Sequence, residues 1–317
     1  EDLGVYEHIS KKDYLVLKRA GKIPKAIPSM CVLVVKSDRD GKPNHAKSRI
    51  IVLGNHEDRI YSKSKRYTPI LKYDSLCLLT AKAITQCRVL QQGDCKNAFC
   101  NATLPDNEIT VIRPPAGDPA FNSDEYWLLR KTLHGLRRSP KHWYNMITAI
   151  LEDMGLQPSP HDPCLYSGIL TDPPSPAMDP TSSLTLSLER QRHEIHVGLY
   201  VDDFVFFSMS PEEEALFQTS LATKIKVDFM GNVDYFLGIA FTWTHHDDGH
   251  LTIHLCEYAF TEFTSHHFGV DKMHQVPNMS PYRSGMPIDS IPNSDPHDPD
   301  LKRRTKLYQQ IIGSINW

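Results

Sequence analysis

The stretch Leu199-Tyr200-Val201-Asp202-Asp203-Phe204-Val205-Phe206-Phe207 decides how the rest of the chain is read. Two adjacent carboxylates interrupt two strongly apolar β-runs, which together span residues 194–208. Flanks of this kind belong in a core, where a carboxylate is costly unless it is paired or metal-bound. The plainer reading is an ordinary hairpin turn that contains Asp. Against it, tight hairpins favour Asn-Gly or Asp-Gly, and Asp-Asp supplies no residue as tolerant of positive φ as Gly. The sharper reading is a tight hairpin that thrusts carboxylates toward a divalent cation. A third acid would complete such a site. Asp94 is the candidate, just after a short strand read over 88–92. Its own plainer reading is a helix N-cap, since a helical turn could follow it.

Outward from this hairpin the periodicities alternate. Runs 30–36 (MCVLVVK) and 48–53 (SRIIVL) read as strands bridged by the Asp40-Gly41 turn signal. Residues 75–85 have helical spacing, with Ser75 as a cap. Residues 140–154 read as an amphipathic helix, with Pro140 in its first turn and Gly155 past its end. Residues 211–225 open with three acids, which suit a helix N-terminus. Strands over 235–243 and 250–255 pair around Asp248-Gly249. The nearby His245, His246 and His250 then lie at a solvated hairpin tip rather than in a zinc site. Hairpins and helices mixed in this order indicate an α+β fold, not a doubly wound parallel sheet.

Composition narrows the class. The 317 residues are 40% hydrophobic and 23% charged, which excludes a disordered tail or a coiled coil. No run approaches the roughly 18 to 20 apolar residues of a membrane span. Seven Cys, an odd number with no C-x-x-C pair, argue against a disulfide scaffold and a structural zinc, and read as reduced intracellular thiols. A net charge of −3 excludes a uniformly basic coat but leaves room for local patches. Residues 36–72 hold ten Lys and Arg against four Asp and Glu. Residues 128–151 contain Arg130, Lys131, Arg137, Arg138 and Lys141 and no acid. The chain starts at Glu1 without a Met or a signal peptide, and is read as a piece of a longer one.

Residues 92–102 (QGDCKNAFCNA) resemble the Q-M-D-V-K-T-A-F-L-N-G signature of reverse transcriptases of copia-type LTR retrotransposons, the Pseudoviridae polyproteins. Tyr200-Val201-Asp202-Asp203 matches that family's Y-V-D-D box. Residues 133–144 (LHGLRRSPKHWY) are similar to its L-Y-G-L-K-Q-A-P-R-x-W-Y segment. Tyr67-Thr68-Pro69-Ile70 resembles the F-A-P-V fingers motif, and residues 113–117 (RPPAG) resemble Q-P-P-G-F. Tyr235-Phe236-Leu237-Gly238-Ile239 matches the F-L-G-I primer-grip strand. Residues 308–317 resemble the start of the connection that precedes RNase H. Each piece is modest alone, but seven in family order are specific together.

The resemblance implies a right-hand polymerase fold of fingers, palm with an antiparallel sheet, and reduced thumb. It sets the boundaries: 1–29 an N-terminal extension or linker, 30–275 the polymerase, with a Pro/Ser/Thr-rich loop insertion at 171–187. A Pro-rich linker at 276–300 and a truncated connection at 301–317 follow. The implied reaction is RNA-directed DNA synthesis, transferring a nucleotide from a dNTP to a primer 3′-hydroxyl with two Mg²⁺ ions, or Mn²⁺ in their place. Asp94 and Asp202 would bridge both ions, Asp203 would support the site, and the carbonyl of Cys95 would be a further ligand. Lys47 and Arg49 would meet the triphosphate; Tyr200 would border the nucleotide; Phe99 would be a steric gate against ribose. Gly135, Arg137, Arg138 and Lys141, with Phe236, Leu237 and Gly238, would contact template and primer. The implied partners are an RNA or DNA template, a DNA or tRNA primer, dNTPs, and the protease, integrase and RNase H regions of a parent polyprotein, with no membrane. The implied location is intracellular, in a cytoplasmic virus-like particle or the nucleus.

The chain departs from the family in places. His134 stands where the family has Tyr, and Arg138-Ser139 where it has Gln-Ala. Met230-Gly231-Asn232-Val233 stands where Met-Lys-Asp-Leu-Gly is usual, leaving only Lys224 or Lys226 close enough to protonate a leaving pyrophosphate. Two rival readings follow. One is a catalytically degenerate retroelement remnant that only binds nucleic acid; the other is an unrelated two-metal nuclease.

Overall fold

The computed structural model describes residues 3–37, 43–123, 125–170 and 193–256. In chain order its elements are β1 (Tyr6–Ser10), α1 (Lys11–Arg19), β2 (Ser29–Ser37), β3 (Pro43–Val52), α2 (Lys63–Arg66) and α3 (Tyr73–Thr85). Next come β4 (Gln91–Cys95), α4 (Ala98–Asn101), β5 (Thr110–Ile112), α5 (Pro119–Asn122), β6 (Glu125–Leu129), α6 (Ser139–Asp153), β7 (Leu156–Pro158) and β8 (Leu165–Ile169). The last are β9 (Glu194–Tyr200), β10 (Asp203–Ser208), α7 (Pro211–Lys224), β11 (Val227–Asn232), β12 (Tyr235–Phe236), β13 (Ile239–His245) and β14 (Leu251–Cys256). The mixture is α+β, as expected. Two compact units divide it: residues 1–233 with 244–252, and 234–243 with 253 onward. The loop at 171–187, the turn at Asp40-Gly41 and everything from 257 on, including the linker and the connection, lie outside the described residues.

The first unit is built on a six-stranded sheet of order β11-β4-β10-β9-β8-β7. All its neighbouring strands run antiparallel. β10 reads as an unbroken apolar run because both its faces are covered. On one face Phe217 of α7 meets Phe204 and Phe206, at ring centroids 6.3 and 4.9 Å. On the other, Gly198 of β9 lets Leu71, Leu79 of α3 and Val205 close in. Helix α7 starts where the sequence signalled. Ser210 accepts the N–H of Glu213, and three Glu occupy the first turn. Glu214 turns inward, accepting the N–H of Ser208 and pairing with Arg88 at 2.8 Å.

Gly93 is fixed by its neighbour across the ladder. It pairs in register with Phe204, and a Cβ at 93 would lie 2.3 Å from that ring. The ring is fully buried among other aromatics and has nowhere to move. Gly93→Ala is therefore expected to cost about 2 kcal/mol by overpacking. Phe204→Leu in the same chain should recover most of that loss. Denaturant midpoints of the two single variants and the double variant check it; strictly additive losses would show that the ring is not the obstacle.

Residues 6–29, expected as an extension, are folded into a second sheet of order β1-β6-β5. Tyr6 stacks on Trp127 at 4.0 Å, Tyr14 stacks on Tyr126 at 4.1 Å, and Ile27 is buried beside Ile112. These contacts are aromatic and distant in sequence, so no local periodicity announces them. Helix α3 begins two residues before Ser75, and its first turn is held from outside by Asp162, which accepts the N–H of Lys72 at 2.9 Å. β2 and β3 pair as a two-stranded ribbon.

The second unit carries strands in the order β12-β13-β14. The single strand expected over 235–243 is instead a tight hairpin. Phe236 pairs with Ile239, and Leu237 and Gly238 both take positive φ, 51° and 86°. That is the pattern of a type I′ turn, which normally takes Asn-Gly. Leu at its first position hid the turn.

Candidate active site

The tight hairpin expected at the two carboxylates is present, with its turn one residue earlier. Tyr200 and Asp203 pair directly, so the two-residue loop is Val201-Asp202 rather than Asp202-Asp203. Val201 takes φ 57°, an outlier for a β-branched residue that costs about 1 to 3 kcal/mol. Two hydrogen bonds hold the strained turn. The indole N–H of the buried Trp143 donates to the carbonyl of Val201 at 2.7 Å, and the N–H of Cys95 donates to the carbonyl of Asp202 at 2.7 Å. The sequence placed Trp143 in an amphipathic helix and in a segment resembling the family's, with no hint of this bond.

The second bond locks the hairpin onto β4. Asp94 lies within that strand, directly opposite Asp203. It is not an N-cap: the following helix starts at Ala98, with Asn97 at its N-cap in a left-handed conformation. Side chains opposite one another across antiparallel strands share a face. Asp94, Asp202 and Asp203 thus gather at one end of the sheet. The Cys95 thiol responds to all of them: burial, then the charges of Asp94, Asp202 and Asp203, push its pKa far up. A fourth carboxylate, Asp228 of β11, is the partner of Asp94 on its other side and pairs with Lys96 at 2.6 Å. Sequence reading missed it because only the register of β11 brings it there.

A cleft of about 310 Å³ opens beside these acids. Asp94 and Asp202 line it, and so do Lys47 and Arg49 of β3 and the ring of His134. Lys47 and Arg49 alternate along one strand and so share a face. Burial first, then Arg49, lowers the pKa of His134; Asp202 pulls it the other way, and Lys47 adds to the lowering. Phe99 and Tyr200 are not among the residues lining the cleft. The Phe99 ring meets His134 edge-on at 4.9 Å.

The loop assigned to nucleic acid is largely occupied internally. Arg138 is bound by the half-buried Glu108, which also meets His142 at 3.0 Å. Arg137 donates to the carbonyls of Arg59 at 3.1 Å and Asn55 at 3.3 Å. Gly135, at φ 92°, sits so close to Val52 that a Cβ would fall 2.0 Å from its carbonyl oxygen. Lys141 rests over Tyr144, 5.1 Å from the ring centroid. Of the two lysines the sequence offered for protonating pyrophosphate, Lys224 is tied to Asp153 at 2.5 Å. Phe236 is buried, and Leu237 and Gly238 form the turn of the second unit.

The donor set suits a hard cation. The atoms it offers are carboxylate and carbonyl oxygens, with Lys47 and Arg49 set apart on β3. Among the described residues no three His, Cys, Asp or Glu side chains form a ready-made cage. Mg²⁺ does not ask for one, since it usually takes one or two protein carboxylates and completes its shell with water and substrate phosphates.

Comparison with known proteins agrees. The reverse transcriptase (RNA-dependent DNA polymerase) family matches residues 12–171, half of the chain, and the chain belongs to that family. It is similar to the retrovirus-related Pol polyprotein from transposon RE2 of Arabidopsis thaliana, 24% identical over 208 residues, covering 66% of this chain and 13% of that protein. It is also similar to the Pol polyprotein from transposon TNT 1-94 of Nicotiana tabacum, 24% identical over 160 residues, covering 50% and 12%. Both relatives come from copia-type transposons, and the chain spans only a small part of their length. A structure of the foamy viral protease-reverse transcriptase in complex with double-stranded DNA covers 78% of this chain and 34% of that one, at 13% identity and a TM-score of 0.36, too loose a likeness to carry an argument. No helix among the described residues is long and apolar enough to cross a membrane.

Proposed function

We propose that the chain is the polymerase part of a copia-type Pol polyprotein, an RNA-directed DNA polymerase of the right-hand type. The observation that supports this best is the pairing of Asp94 with Asp203 beside the Val201-Asp202 turn, on the rim of a cleft that also holds Lys47 and Arg49. Asp94 and Asp202 would hold two Mg²⁺ ions, with Asp203 and the Cys95 carbonyl in support. Bound there, the ions would acidify the primer 3′-hydroxyl and stabilise the entering and leaving oxygens of an in-line displacement. The residues of the chain do the rest. Lys47 and Arg49 bind the triphosphate from the opposite wall, and their positive charge offsets the charge left on pyrophosphate. Phe99 would be the steric gate against a ribose 2′-hydroxyl, acting through the cleft-lining His134 that it meets edge-on. The strained turn fixes where the Asp202 carboxylate points. Template and primer, the other regions of the polyprotein, and a location in particles or the nucleus belong to the same reading.

The test is extension of a primer on an RNA template with Mg²⁺. The chain should extend it; shortening it instead would identify a nuclease. Lys47→Ala and Arg49→Ala should raise the apparent KM for all four dNTPs about equally, roughly tenfold each, because a triphosphate carries no base identity. Primer-template affinity should change less. If template binding collapses while dNTP affinity holds, β3 faces the template and not the nucleotide.

A further inference from the structure

Val201 holds a conformation that its side chain disfavours, immediately before Asp202. For a β-branched residue the penalty is roughly a 5- to 150-fold bias toward other backbone states. Something must therefore hold the turn. Of the two hydrogen bonds described on it, one is donated by the backbone N–H of Cys95 to the carbonyl of Asp202. Any residue at 95 except Pro would supply that donor. The other comes from a side chain, the indole of Trp143, and reaches the carbonyl of Val201 itself.

Trp143 can deliver this bond because it has no room to turn away. It is 1% exposed, in the first half of α6. It shares a small apolar recess with Pro69, Cys164, Leu199 and Val201. Helix α6 is tied at three points. The Ser139 hydroxyl donates to the Leu133 carbonyl at 2.6 Å, His142 meets Glu108 at 3.0 Å, and the hydroxyls of Thr148 and of Tyr166 on β8 lie 2.8 Å apart.

A buried indole usually finds some acceptor, so the bond alone would mark only a satisfied core tryptophan. The place of the acceptor gives it a further role. A hydrogen bond is worth roughly 2- to 13-fold net, and a buried acceptor left without one costs more. That is the same order as the penalty at Val201, so losing the N–H tips the turn out of its conformation. A turn without the penalty would hardly respond, since Gly takes positive φ about as readily as negative.

We propose that Trp143 is a positioning residue of this site, whose indole N–H holds Val201 in the left-handed conformation and so aims the Asp202 carboxylate at the cation position. It acts through Val201 and touches no reactant. The inference rests on the polymerase reading and adds to it the residue that sets the turn before any ion binds.

The test pairs loss of the donor with relief of the strain. Trp143→Phe keeps a ring and removes the N–H. If it does not fold, β-(3-benzothienyl)alanine at position 143 keeps the bicyclic shape and still lacks the donor. Each is made in the unsubstituted chain and in the Val201→Gly background. In metal-free protein, hydrogen exchange of the Cys95 N–H, followed by NMR, should speed up about tenfold in the unsubstituted background and less than about threefold with Val201→Gly. Exchange at Ile147 and Leu151 of α6 should stay the same. In Mg²⁺, single-turnover extension at saturating dNTP should fall about 10- to 100-fold, and the half-saturating Mg²⁺ concentration should rise about fivefold. KM for dNTP should stay within about twofold, because Lys47 and Arg49 are unchanged. Val201→Gly should again remove most of the difference. Equal losses in both backgrounds, or faster exchange throughout α6, would show that Trp143 only packs. No change in either readout would overturn the proposal as well. A chain that shows the exchange pattern but extends no primer would instead overturn the polymerase reading, with the held turn still established.

Discussion

Asp94→Asn and Asp202→Asn are each expected to abolish primer extension, by about a thousandfold or more, while the folded chain stays as stable as before or becomes more so. The loss is large because each carboxylate would contact both ions, and a thousandfold is about 4 kcal/mol of transition-state stabilisation. The stability expectation comes from the ladder. Asp94 has Asp203 opposite it on one side and Asp228 on the other, and like charges directly opposite one another destabilise a sheet. Asp228 is paired with Lys96 at 2.6 Å. An amide at 94 keeps the shape and removes the repulsion. Melting curves in EDTA and single-turnover extension in Mg²⁺ check the two halves separately. A fall of several degrees without metal would mean that Asp94 is a structural acid; residual extension near the unsubstituted rate would remove it from the chemistry.

A second large effect lies away from the cleft. Asp162 is almost fully buried and accepts the N–H groups of Lys72 and Cys164, each at 2.9 Å. Burial raises its pKa, but hydrogen bonds from Ser75 and from those two N–H groups outweigh it and leave the carboxyl below its ordinary value. Asp162→Ala strands the two donors and should cost about 3 kcal/mol, enough to loosen the start of α3. A depressed folded pKa makes the sign clear. The carboxylate contributes its full stability above its unfolded value of about 3.9, and loses it as pH falls through the lower folded value. Asp162→Asn should therefore be less stable than the parent at pH 7, with the gap narrowing below about pH 4. Denaturant titrations at both pH values measure it; a gap that widens in acid would refute the assignment.

What was legible in the sequence was whatever local pattern could carry. The apolar run of β10, the Pro and Gly at the ends of α6, and the acidic first turn of α7 each mark an element because a neighbour within four residues supplies the signal. The pairing of Asp94 with the Asp202-Asp203 hairpin came from resemblance to a family, since no spacing rule joins residues a hundred positions apart. Three features escaped for the same reason. Asp228 reaches the site only through the register of β11, and His134 enters the cleft because β3 packs over its loop. Glu108 claims Arg138 from a loop thirty residues away. The two hairpin turns were misread by one residue, or missed, because Val201 and Leu237 hold conformations that sequence rules reserve for Gly and Asn.

The close fit of Gly93 under the Phe204 ring restricts the history of this site. The signature that residues 92–102 resemble has Met where this chain has Gly93. On this backbone Met at 93 and Phe at 204 would occupy the same space, so the two changes cannot have arrived in either order. From an ancestor with Met at 93 and a smaller residue at 204, Gly would have to come first, leaving a hole of nearly a whole side chain beside β4, a state that costs about 2 to 5 kcal/mol. Phe at 204 then filled it. Among relatives sharing this sheet, three combinations are open: Met opposite a smaller residue, Gly opposite a smaller residue, and Gly opposite Phe. The fourth, Met opposite Phe, is closed. Sequencing the lineage would reveal the second combination as the intermediate, or, by finding the fourth, show that the strand can shift its backbone.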